Sequence, residues 1–285
     1  METKIAIIFK ISKLPVYSSL SIDLLCSINY FTMQSFVLEE TNWKEVREKC
    51  PEVVVLPWGA TEAHNYHLPY GTDNFIASRI ASQSANLAIE KGASVMVLPV
   101  VPFGVNTGQY DIRLDMNLNP STQFLILKDL LTVLNRQSVR KFVIMNAHGG
   151  NDFKQQIREL NLLFPEMLLT QCNWFKIPGA EQFFEDMGEH AGEVETSLMM
   201  FLYPDLVLPL ENAGDGHAKK FSIEALNQGW AWAERRWSSV TKDTGIGNPA
   251  LSTAEKGERF FEYLTGKIAG FLVELSSADI NDLYR

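Results

Sequence analysis

Residues 53–73 read VVVLPWGATEAHNYHLPYGTD. The first part, VVVLPWG (53–59), is a β-branched apolar run ending in glycine. That is the pattern of a short strand buried on both faces. The second part places Glu62, His64, His67 and Asp73 in the loop that follows, so two of the chain's five histidines share one loop. A buried strand that hands over to imidazoles and carboxylates predicts a ligand site at the carboxyl end of a parallel sheet.

Strand and helix patterns alternate outward from this stretch. Asp73 to Ile89 carries Ile76, Ile80 and Leu87, with the small Ser84 on the same face, at a helical period. SVMVLPVVPFG (94–104) reads as a second strand. Asn119-Pro120-Ser121 is a helix start before QFLILKDLLTVLNRQ. KFVIMNAHGG (141–150) is a third strand running into glycines, and after a further helix MLLTQCNWF (167–175) is a fourth. HAGEVETSLMMFLYP (190–204) reads as a helix from His190 to the stop at Pro204, and 252–276 as a long final helix. The expected fold is α/β, a three-layer α/β/α sandwich with a mostly parallel sheet. No repeat, low-complexity tract or Pro/Gly-rich linker interrupts 33–285, so this is read as one domain.

Residues 1–32 stand apart. Lys4 before IAIIF resembles a signal peptide, but Lys10 and Lys13 cut the apolar stretch short and no clear cleavage site follows. This stretch is expected to be an extension outside the fold. Its deletion should leave activity and melting temperature nearly unchanged; a large drop in melting temperature on truncation would mean that it packs on the core.

The bulk composition excludes several classes. With 46% hydrophobic and 21% charged residues the 285-residue chain is ordinary globular protein. A net charge of −9 without a basic cluster argues against nucleic acid. No apolar run reaches the ~18 residues of a membrane helix. Cys26, Cys50 and Cys172 form no CxxC pair, which suggests a reducing, cytoplasmic setting. There is neither GxGxxG after the first strand nor a P-loop, and Ser197 lies in no GxSxG and has no evident base.

The loops after the first and third strands bring Glu62, His64, His67, Asp73 and His148 to one sheet edge. Imidazole with carboxylate is the ligand set of Zn²⁺, Mn²⁺ or Fe²⁺. Asp73 can bridge two ions about 3.5–4 Å apart, or it can simply suit a helix start. His67 is read equally as a site residue or as a brace for the loop. His148 alone would suit a core, and His217 in GDGHAKK suits a solvated loop. In HAGEVETS, a helix starting at His190 would turn His190 and Glu193 to one face and rotate Glu195 away, as support from behind.

PWGATEAHNYHLPYGTD, NAHGGN, HAGEVETS and TGIGNPALSTAEKG, in this order, resemble the creatininase (creatinine amidohydrolase) family of metal-dependent hydrolases. The resemblance implies a three-layer α/β/α fold and two divalent ions per chain, zinc first, with manganese or iron as alternatives. It implies hydrolysis of a non-peptide or cyclic C–N bond in a small-molecule amide, and a homo-oligomer, commonly a hexamer. It assigns Glu62 and His148 to one metal, His64 to the other, Asp73 to both, and proton transfer to His190, which Glu193 or Glu195 could tune.

The departures bear on the substrate. The creatinine-cleaving branch has an acidic ligand where this chain has Gly150. Glu193 is expected to replace it from the neighbouring helix. That branch also has a tryptophan shortly before its proton-transfer histidine, whereas FFEDMGEH (183–190) has none, and PFGVNTGQYDIRLDMN lacks the common FPGT. Creatinine is therefore disfavoured. The alternatives are a formamide deformylase or short-peptide amidase of the same family, or a non-catalytic metal-binding protein.

Overall fold

The computed structural model describes residues 36–284, so the expected extension over residues 1–32 lies outside the described residues. Among the described residues four strands form one sheet: β1 (Val53–Trp58), β2 (Val95–Val97), β3 (Lys141–Asn146) and β4 (Leu168–Asn173). All pairings are parallel, in the order β2-β1-β3-β4. The central strands β1 and β3 are buried at every position, which is why their sequences are apolar runs and not alternations. Five longer helices cover the sheet: α1 (Thr72–Glu90), α2 (Pro120–Arg136), α3 (Lys154–Leu163), α4 (Glu193–Leu202) and α5 (Ala254–Ser277).

Alternate residues of β1 supply two cores. Val53 and Val55 pack with Ile76 and Ile80 of α1, Leu198 of α4, and Phe260, Leu264, Ile268 and Leu272 of α5. Val54, Leu56 and Trp58 pack on the opposite face with Leu127 and Leu131 of α2 and Leu160 of α3. Two helical layers thus enclose one sheet. Each fully buried large side chain in them contributes roughly 1.5–3 kcal/mol. Pro120 stands at the start of α2, where its missing N–H removes no helical bond. The Thr253 side chain caps α5 by accepting from Lys256 N.

Two boundaries differ from the sequence expectation. β2 spans three residues, not 94–104. Pro99 and Pro102 carry no N–H, so past Val97 the chain keeps only isolated contacts with β1, such as Leu98 N to Val55 O and Val101 N to Pro57 O. The helix expected from His190 begins at Glu193, because Ala191 takes φ +50° and Gly192 is extended. Among the described residues no helix is long and apolar enough to cross a membrane.

The topology positions the site. From β1 the chain crosses to β2 on one side, then returns past β1 to β3 on the other. The carboxyl ends of β1 and β3, paired up to Trp58 and Asn146, form the switch point where open α/β sheets bind ligands.

Candidate metal centre

The loops leaving β1 and β3 meet at this point. Asn146, the last residue of β3, shapes the NAHGGN turn: its Oδ1 accepts from His148 N (3.2 Å), and its Nδ2 donates to His148 O (3.0 Å). Asp73 lies in the first turn of α1, and its carboxylate turns to His64 and His148. Glu62, His64, Asp73 and His148 are all buried.

Three imidazoles are oriented in one way. His64 Nδ1 lies 3.1 Å from Glu62 O, His148 Nε2 3.0 Å from Val105 O, and His190 Nε2 2.8 Å from Ala63 O. A carbonyl only accepts, so each of these nitrogens carries the proton, and the other ring nitrogen faces the carboxylates. His64 Nε2 is 3.1 Å from Asp73 Oδ1. His148 Nδ1 is 2.9 Å from Glu62 Oε1 and 3.1 Å from Asp73 Oδ2, and His190 Nδ1 is 3.7 Å from Glu62 Oε1. Among the described residues, ligand atoms lie within 4.8 Å of one another in three groups: Glu62–Asp73–His148, His64–Asp73–Glu195 and Glu62–His64–His190.

A cation fits this arrangement. Glu62 Oε1 and Asp73 Oδ2 are buried and receive no aligned hydrogen bond, although ring nitrogens crowd them. Without a cation, protons must hold the cluster together. Burial would lower His64, but Asp73 raises it to about 10. Burial likewise opposes the charge on His148, yet Glu62 and Asp73 lift it well above the usual imidazole value. Burial by itself would raise both carboxyls, but Glu62 is drawn down by His148 and His190, and Asp73 falls well below the usual range beside His64 and His148. Burial and the neighbouring His64 push His190 down to about 4, so it stays neutral. Burial raises the Glu195 carboxyl to about 7.

The two acids of HAGEVETS take the reverse of their expected places. Glu195 joins His64 and Asp73; one of its oxygens accepts from Ala191 N (2.6 Å). Glu193 lies outside the cluster. Its carboxylate is fully buried against Lys256 Nζ (2.5 Å) and accepts from Glu185 N (3.0 Å) and Asp186 N (2.8 Å). Glu193, expected as a metal ligand, thus joins none of the ligand groups among the described residues. The cause is the late helix start: the left-handed turn at Ala191 swings His190 off the helical face it was expected to share with Glu193. Gly150 has its own reason to be glycine. A Cβ there would meet Val105 O at 2.3 Å and His148 Nε2 at 2.5 Å, displacing the hydrogen bond that orients His148. His67 is buried, with Nε2 2.8 Å from Thr196 Oγ1, and braces the loop against α4. His217 is exposed and outside the cluster.

Sequence reasoning missed five contributors. Gln109 Nε2 donates to Glu62 Oε2, and Asp115 Oδ1 accepts from Ala63 N (2.7 Å). Lys256 neutralises Glu193 from 63 residues away. Trp237 lies edge-on to the His190 ring, centroids 4.9 Å apart, with the Arg235 guanidinium 5.5 Å from the indole and paired to Glu189 at 2.8 Å. An aromatic wall thus reaches His190 from a distant segment, although no tryptophan stands shortly before it in sequence. Gln109 and Asp115 lie in the stretch that replaces FPGT, so the departure from the family pattern was itself the signal.

The family model for creatininase, creatinine amidohydrolase, matches residues 39–272. The chain belongs to the creatininase family. A solved structure from Bacteroides fragilis, described as a candidate creatinine amidohydrolase, is 42% identical with a TM-score of 0.82, covering 88% of this chain and 99% of that one. The Pseudomonas putida creatinine amidohydrolase is 27% identical over 61% of this chain and 74% of its own length. The mycofactocin precursor peptide peptidase of Mycobacterium tuberculosis is 28% identical over 73% and 79%. A zinc–zinc form of a creatininase variant shares the fold, with a TM-score of 0.68 at 24% identity over 86% of this chain and all of that one. Like other members of the family, the chain is a hydrolase acting on amide bonds.

Proposed function

We propose that this enzyme cleaves a non-peptide or cyclic C–N bond of a small amide through a centre of two divalent ions, zinc before manganese or iron. Glu62, Asp73 and His148 would hold one ion; His64, Asp73 and Glu195 the other. The carrying observation is that Asp73 belongs to both groups, with Oδ1 toward His64 and Oδ2 toward His148. When bound, such ions lower the pKa of water toward neutrality and polarise a carbonyl.

The chain's own residues supply the rest. His190 Nε2 is fixed on Ala63 O, so Nδ1 is the atom that takes a proton and returns it to the leaving nitrogen. Trp237 packs edge-on against that ring, and the Arg235 guanidinium lies over the indole. Asp115 accepts from the N–H of Ala63, and the carbonyl of the same residue orients His190.

Metal analysis combined with a panel of creatinine, a formamide and a short peptide amide tests this reading. About two ions per chain are expected, with hydrolysis of one class. A chelator should abolish that activity and zinc or manganese restore it. Bound metal without hydrolysis of any C–N substrate would favour the non-catalytic alternative.

A further inference from the structure

We propose that Gln109 is a positioning residue that decides which oxygen of Glu62 faces the centre. The inference rests on the metal-centre reading above. Gln109 is 3% exposed and closes the short turn Thr107–Gln109. Its Nε2 donates to Glu62 Oε2. An ionised carboxylate only accepts, so the amide must present nitrogen to it, and a flip would set two acceptors against each other. This orientation leaves Gln109 Oε1 buried without a partner, a cost that the contact with Glu62 has to outweigh.

The consequence falls on Glu62. With Oε2 tethered, Oε1 is left near His148 (2.9 Å), His190 (3.7 Å) and His64 (4.0 Å). Glu62 can then offer one defined oxygen and cannot swing into a two-oxygen arrangement. The tether is itself braced. Gln109 N donates to Asn106 O (3.0 Å), and Asn106 is held by Asn117 and Met116. A Cβ on Gly108 would lie 2.4 Å from Arg235 O, so the turn is pressed under the segment that carries Trp237.

The test is zinc titration against a competing chelator, with visible spectra of the cobalt-loaded proteins, for wild type, Gln109→Met and Gln109→Asn. Methionine keeps the bulk and removes the amide; asparagine keeps the amide and withdraws it by one methylene. Both variants should bind zinc about 10–100-fold more weakly at one of the two sites, as loss of an outer partner does. Their cobalt d–d bands should also shift, which a mere packing defect would not cause. If the methionine variant fails to fold, the asparagine variant decides. Wild-type zinc affinity and an unchanged cobalt spectrum in a folded variant would overturn the role of Gln109 alone. Absence of zinc binding by the wild type would overturn the metal-centre reading and this inference with it.

Discussion

Asp73→Ala should strip both ions at once, taking zinc content from about two per chain to near zero, and should depress turnover by well over a hundredfold. Losing even an outer partner of a ligand costs about 10–100-fold, so losing a shared ligand sets that only as a floor. The basis is the opposite facing of its oxygens, Oδ1 toward His64 and Oδ2 toward His148. His64→Ala serves as the control and should lose one ion, because Glu62, Asp73 and His148 remain a group without it. About one ion per chain in the Asp73 variant would end the bridging assignment.

The two acids at the start of α4 should fail in different currencies. Glu193→Ala leaves Lys256 without its buried partner and strands two backbone N–H groups, those of Glu185 and Asp186. Stranding these partners of a buried carboxylate should lower the melting temperature by roughly 5 °C at this chain length. Glu195→Gln should leave the metal-free melting temperature almost unchanged, since burial already pushes that carboxyl up to about 7 and a neutral amide is nearly isosteric. It should instead release the ion of the His64–Asp73 group. Calorimetry beside metal analysis separates the outcomes. A stable Glu193 variant missing one ion, with a Glu195 variant retaining both, would reinstate the original expectation for Glu193.

Most of the fold was legible because its signals are local. The apolar runs of β1 and β3 and the helical spacing of Ile76 and Ile80 each reflect burial of one element. Glu62, His64, Asp73 and His148 were legible for a related reason: they follow two central strands directly. What escaped was set by contacts far apart in sequence or by backbone that no residue type announces. Ala191 takes a left-handed conformation without being glycine, and Gly192 caps α4 with no side chain to signal it. Gln109 and Asp115 sit in irregular chain without a period to read, and the partner of Glu193 lies on α5.

The ties around His190 also bear on the order in which the chain acquires its site. His190 reaches Ala63 across 127 residues, and Glu193 reaches Lys256 across 63. Such closures are entropically expensive and slow, and a chain made on a ribosome presents its early residues first. Glu62, His64 and Asp73 therefore emerge long before Glu195 exists and before Lys256 can anchor the loop bearing His190. A nascent chain offers free ligands in the wrong number and geometry, open to whichever ion is at hand. On the two-ion reading, selection of the correct ion would belong to the end of folding, when α5 docks and closes the last of these loops.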